Sequence, residues 1–155
     1  MPIDEGGFEI SSEKALLDVD AVFDFLRDCY WLPGIARSRV ERAIANSMSF
    51  GVYDTKANRP GKSGKPKQVG FARVITDKAT YGYIADVFII EEYRGRGLSK
   101  MLMKAIVEHP ELQGMRRLCL MTRDAHGLYA QFGFAAMPEP GRYMEVVDRE
   151  SYKRD

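Results

Sequence analysis

Apolar side chains at Val19, Val22, Phe23 and Leu26 recur at helical spacing, and Asp18 stands where an N-cap is needed, so a helix is predicted over Val19 to Cys29. Pro33-Gly34 ends it, and Val40, Ile44 and Ala45 carry a second helix from Ser38 to Ser47. Between the two lies an aromatic loop, Tyr30-Trp31. The period then changes. Met48, Phe50 and Val52 alternate with Ser49, Gly51 and Tyr53, which is the period of a strand, and Val69 to Thr76 reads the same way. Tyr81 to Ile90 is an apolar run with one acid, Asp86, as expected of a central strand. Leu98, Met101, Leu102, Ala105 and Ile106 mark a helix ended by His109-Pro110, and Leu118 to Met121 reads as a strand buried on both faces. Shorter signals predict a strand at Phe8 to Ser11, a helix at Ala125 to Phe132, and strands at Phe134 to Met137 and Tyr143 to Val147.

Strand, glycine-bearing turn, helix and strand in that order describe a crossover between parallel strands, whose ligand side lies at the strands' carboxyl ends. With 155 residues the chain is sized for one domain, 1–155. Its 23 basic and 22 acidic side chains cancel to a net charge of +1, so no global field points to nucleic acid or a membrane surface, and a bound anion must be held locally. Cys29 and Cys119 are too few for a disulfide framework or a cysteine zinc site, which fits a reducing compartment. Asp4 and Glu5 near the start, and the lack of a long apolar run, predict a cytoplasmic protein with no membrane partner. Thr55 to Gln68 has one apolar residue, Ala57, beside Lys56, Arg59, Lys62, Lys65 and Lys67, and is predicted to be a mobile basic surface loop, 55–68.

The turn Arg94-Gly95-Arg96-Gly97-Leu98-Ser99 opens the third helix. Helix amino termini present unpaired N–H groups and partial positive charge, so these residues can hold an anion; equally, the glycines can serve only to make the turn, with the arginines solvated. Two nucleotide motifs fail on spacing. A dinucleotide fingerprint needs glycine where Lys100 stands, and a P-loop at Gly61-Lys62-Ser63 needs glycine where Lys56 stands.

Arg94-Gly95-Arg96-Gly97-Leu98-Ser99 resembles the signature of the GNAT superfamily of N-acetyltransferases. Ala85 to Tyr93 before it, and Leu128-Tyr129-Ala130-Gln131-Phe132-Gly133-Phe134 after it, look like that family's flanking elements. Two residues depart from the pattern: Ser99 replaces the usual Gly or Ala, and Asp124-Ala125-His126 stands near where many members place Asn. The resemblance implies an α/β (mixed α+β) GNAT-like fold, with a central twisted mixed sheet of six to seven strands, about four helices and a splayed parallel strand pair. It also implies acetyl-CoA as cosubstrate, with no metal. The diphosphate would rest on Arg94, Gly95, Arg96, Gly97, Leu98 and Ser99. Backbone groups left unpaired at Phe88, Ile89 and Ile90 would receive the pantetheine arm, and Thr122, His126 and Tyr129 would complete the cofactor contacts.

By the same resemblance Tyr129 is the residue that protonates the departing thiolate, since a phenol of ordinary pKa about 10 is a donor at neutral pH. Asp86 is the acid nearest the expected acetyl position and so the candidate base; a structural role, bonded to its neighbours, is equally open, and His126 is a second candidate. The acceptor is an amine-bearing small molecule or peptide, bordered by the aromatic loop Tyr30 to Ile35. Exposed sheet edges would allow a homodimer. A catalytically weak CoA-binding regulatory module is the alternative to an acyltransferase. A DNA-binding use of the first two helices is less favoured, because the second shows Arg37, Arg39, Glu41 and Arg42 and little base-reading chemistry.

Overall fold

The computed structural model describes residues 3–61 and 63–154. Strands β1 (Ile3–Glu5), β2 (Phe8–Ser11), β3 (Met48–Asp54), β4 (Gln68–Thr76), β5 (Tyr81–Ile89) and β6 (Arg117–Leu120) lie in sequence order in one sheet. The first five pair antiparallel, while β6 pairs parallel to β5. Helices α1 (Val19–Leu26) and α2 (Arg37–Ala45) precede β3, α3 (Leu98–Val107) joins β5 to β6, and α4 (His126–Ala130) follows.

The sheet has a core on each face. On one, Leu102, Met103 and Ile106 of α3 bury against Phe50, Val52, Val74 and Ile84. On the other, Val22, Leu26, Val40 and Ile44 of α1 and α2 cover Phe71 and Phe88. Each such side chain contributes about 1.5–3 kcal/mol on full burial. Alternation along β4 sends Ala72 and Val74 to the first core and Phe71 to the second, and a register shift against β3 between Gln68 and Gly70 turns Val69 to the first core as well, so the segment reads as almost continuously apolar.

Local chemistry sets the helix starts. Asp18, fully buried, caps α1 by accepting from the Ala21 N–H at 3.1 Å, as its position in the sequence predicts. It also accepts from the Ser63 N–H at 3.3 Å and the Ser63 hydroxyl at 2.9 Å, so the loop predicted to be mobile is tied to the first helix. Lys65 adds a bond to the Ala15 carbonyl at 2.8 Å, and Lys62 lies outside the described residues.

Five of the seven predicted strands are present, and β1, which was not predicted, joins them. Phe134 to Met137 and Tyr143 to Val147 are not strands, so the six strands of the sheet are not the set from which six to seven were expected. Alternation supplies only a face to bury, and here no core covers one: Met144 is 90% exposed and Val146 fully so. Leu118 to Met121 is also corrected. It is the edge of the sheet, partly exposed and ending at Leu120.

Candidate functional site

β5 outruns its parallel neighbour. The pairing with β6 stops at Ile84 opposite Leu120, while β5 continues to Ile89, so its last five residues have no strand partner on that side among the described residues. At the point of separation Asp86 takes a left-handed backbone, φ +56°, rare for any residue but glycine. The β4 register breaks there, with Asp86 and Val87 opposite the single residue Ala72, so a bulge bends the strand at the opening.

Of the three residues expected to leave backbone groups free, the structure leaves one. The Ile90 N–H donates to Val69 O at 2.9 Å, and alternation turns Phe88 to β4 as well, with its ring stacked 3.8 Å from Phe25. Ile89 faces the gap. Its carbonyl accepts from Arg94 Nε at 3.0 Å, and its N–H is directed to the open side.

Beyond it, Gly95 and Gly97 adopt φ of +77° and +79° and so start α3 from a left-handed turn that L side chains resist. No side chain caps this helix, and none of the N–H groups from Gly95 to Ser99 donates to another described residue. Apart from the residues next to each glycine in the chain, no heavy atom of a described residue lies within 4 Å of where its Cβ would be, so an incoming group can reach the main chain. Arg94 folds back on Ile89, while Arg96 lies over the Tyr93 ring at 4.9 Å and donates to Glu92 O at 3.3 Å. Leu98 is buried in the core and Ser99 is half-buried.

Tyr129 is buried on the α3 side of the gap, edge-on to Phe134 at 6.1 Å. Its hydroxyl bonds to no described residue. Burial, with a smaller contribution from nearby Tyr30, pushes its pKa above the usual 10.0. Thr122 Oγ1 accepts from the Ala125 N–H at 3.0 Å and shapes the entry to α4, where His126 is exposed.

Asp86 is buried on the opposite face of β5, under α1 and α2. Its carboxylate receives Trp31 Nε1 at 3.1 Å and forms an ion pair with Arg73 Nε. The aromatic loop, expected to border the acceptor, lies against the acid: Trp31 holds Asp86, and Tyr30 packs on Trp31 at 5.0 Å and under the Arg123 guanidinium at 4.1 Å. A cavity of about 200 Å³ opens beside this pair, between α1, α2 and the sheet, and Tyr152 closes part of it.

Arg73 was missed from sequence, although a signal existed. It is the one charged residue in its strand, Asp86 is the one acid in the next, and antiparallel neighbours with lone opposite charges are natural partners. Arg39 and Tyr152 carried no such signal.

The comparisons with known proteins agree with this geometry. A family model described as "Acetyltransferase (GNAT) domain" matches residues 62–136. A Gibberella zeae protein named as an acetyltransferase is 30% identical over 139 residues, 81% of this chain and 77% of its own. A crystal structure from Xanthomonas campestris, of a protein assigned to the GNAT family, shares 41% identity and covers 97% of this chain and 100% of that one, with a TM-score of 0.85. Glucosamine-6-phosphate N-acetyltransferase of Arabidopsis thaliana, at 12% identity over 91% of this chain and 97% of its own, shares the fold with a TM-score of 0.58.

Proposed function

The chain belongs to the GNAT family of acetyltransferases, and on that premise we propose that it moves an acetyl group directly from acetyl-CoA to a primary amine. The observation that carries this reading is the run of uncapped N–H groups from Gly95 to Ser99 beside the free end of β5. The residues present fit the cosubstrate: a helix amino terminus without a protein cap, opened by two glycines with clear space above them, suits a diphosphate. Acetyl-CoA supplies the activated acyl group as a thioester.

Gly95 to Ser99 hold the diphosphate, with the charge of Arg94 and Arg96 alongside. Phe88 and Ile90 fix the strand by pairing with β4, and the Ile89 N–H, left over on the open side, donates to the pantetheine arm or to the thioester oxygen. Thr122 and His126 line the entry to α4, beside the phenol of Tyr129. Tyr129 stays protonated at neutral pH and donates its proton to the departing thiolate. Asp86 faces the acceptor. A carboxylate offers about four lone-pair positions, and Arg73 and Trp31 use two. The rest orient the acceptor's ammonium and take its proton, which is needed because a lysine-like amine, with a pKa of about 10.4, is charged at neutral pH.

Calorimetry with acetyl-CoA, followed by thiol release across a panel of amines, tests the reading. Saturable binding with amine-dependent release is expected. Binding without release would make the chain a CoA-binding module, and an absence of saturable heat would remove the transferase reading altogether.

A further inference from the structure

The cavity beside Asp86 has a charge pattern of its own. Its walls are apolar, with Leu26, Leu32, Val40, Ile44 and Phe71 among them, and its lining includes two arginines and one aspartate. Arg73 and Asp86 neutralise each other. Arg39 is left over. Among the described residues it forms no ion pair: its Nη2 donates to the Arg154 carbonyl at 3.1 Å, its guanidinium lies 5.8 Å from the Tyr152 ring centre, and its Nε is buried with no hydrogen-bond partner. A buried cationic donor without an acceptor is costly, and a planar guanidinium fits a carboxylate.

We infer that the amine acceptor is a small amino acid with an apolar side chain, its carboxylate received by Arg39 and its amine directed to Asp86; the assignment rests on the transferase reading above. An acceptor carboxylate would answer the cation left over after Arg73 and Asp86 pair, and its amine would reach the lone-pair positions of Asp86 that Arg73 and Trp31 leave open. At about 200 Å³ the cavity is smaller than the pockets of about 300–1,000 Å³ that take drug-sized ligands, a scale that suits a small amino acid. The apolar walls receive the side chain. Since Arg39 lies on α2 and Asp86 on β5, the helix and the sheet each contribute one end of the recognition. Tyr152 lines the cavity beside Arg39, and an acceptor carboxylate would take over the Nη2 donor that now meets the Arg154 carbonyl.

The test compares leucine, leucinamide, isoamylamine and phosphoethanolamine as acceptors for the full chain at saturating acetyl-CoA, with calorimetry of leucine and isoamylamine in the presence of CoA as a readout independent of turnover. Leucine is expected to exceed leucinamide and isoamylamine by about 10- to 100-fold in kcat/KM, the size of one charge-assisted interaction. Arg39→Met should remove that advantage while leaving isoamylamine little changed, and Arg39→Lys, which keeps the charge but loses the fork, should restore part of it. Melting curves of both variants report whether they fold. Equal use of leucine and isoamylamine, an equal loss of both in Arg39→Met, or preference for phosphoethanolamine would overturn the assignment. Should no amine be acetylated while leucine still binds in an Arg39-dependent way, the pocket assignment stands and the transferase reading falls; absence of leucine binding removes the pocket assignment alone.

Discussion

The turn from Arg94 to Ser99 and the cavity beside Asp86 lie at two stations along one strand and its exit, yet they are built from different material. The turn presents main-chain N–H groups of consecutive residues, held open by two left-handed glycines. The cavity gathers side chains from α1, α2, β4, β5 and the end of the chain, and its polar part is a buried ion pair with one arginine left unmatched. Every residue carries an N–H, so the first region depends on backbone shape. The second depends on which side chains stand there. One fold can thus keep a constant way of holding a cosubstrate while its acceptor changes by substitution in the cavity.

That contrast predicts where substitutions hurt, and how. Asp86→Ala should have the largest effect, because it leaves the mostly buried Arg73 guanidinium without its acid; about 3–5 kcal/mol of stability should be lost, read from the urea midpoint. An unchanged midpoint would show that the pair does not organise the cavity. Tyr129→Phe, between the two regions, should lower kcat about 100-fold with little change in acetyl-CoA affinity, the pattern of a lost proton donor. Turnover equal to wild type would remove Tyr129 from the chemistry.

On the turn the effect should be conformational and smaller. Gly97→Ala meets no neighbour within 4 Å, so its cost is the left-handed backbone alone, about 1–2 kcal/mol, or a fall in Tm of about 2–8 °C. A Tm equal to wild type would mean that the turn relaxes without penalty. The smallest effect concerns pH. Folding raises the Tyr129 pKa above 10.0, so its contribution to stability is complete below that pH and is lost as pH rises through the folded value. The difference in urea midpoint between wild type and Tyr129→Phe should therefore be flat to about pH 10 and change only above it. A change beginning near neutrality would contradict the burial of the phenol.

Legibility followed the same division. Both long helices before β3, the α3 face and the main strands could be read from periodicity, because one face of each is buried and the pattern records it. So could the cap at Asp18. The strands expected after Phe134 could not be confirmed by pattern, since a strand needs a neighbour's ladder and Tyr143 to Val147 finds none. Phe88 and Ile90 were grouped with Ile89 because the direction of each N–H depends on β4 register, and the bulge at Asp86 that sets this register has no sequence signature.

The amino-acid sequence by itself determined the order of elements and the glycine turn at the head of α3, since each rests on residues within a few positions of one another, while Tyr129 and Asp86 became candidates through the family resemblance. Tertiary structure alone decided that Asp86 is paired with Arg73 and held by Trp31, that Ile89 is the residue left facing the gap, and that Arg39 and Tyr152 border the same cavity. Those facts join segments far apart along the chain, and contacts of that kind come into being only when the sheet brings its strands into register and the helices close over them.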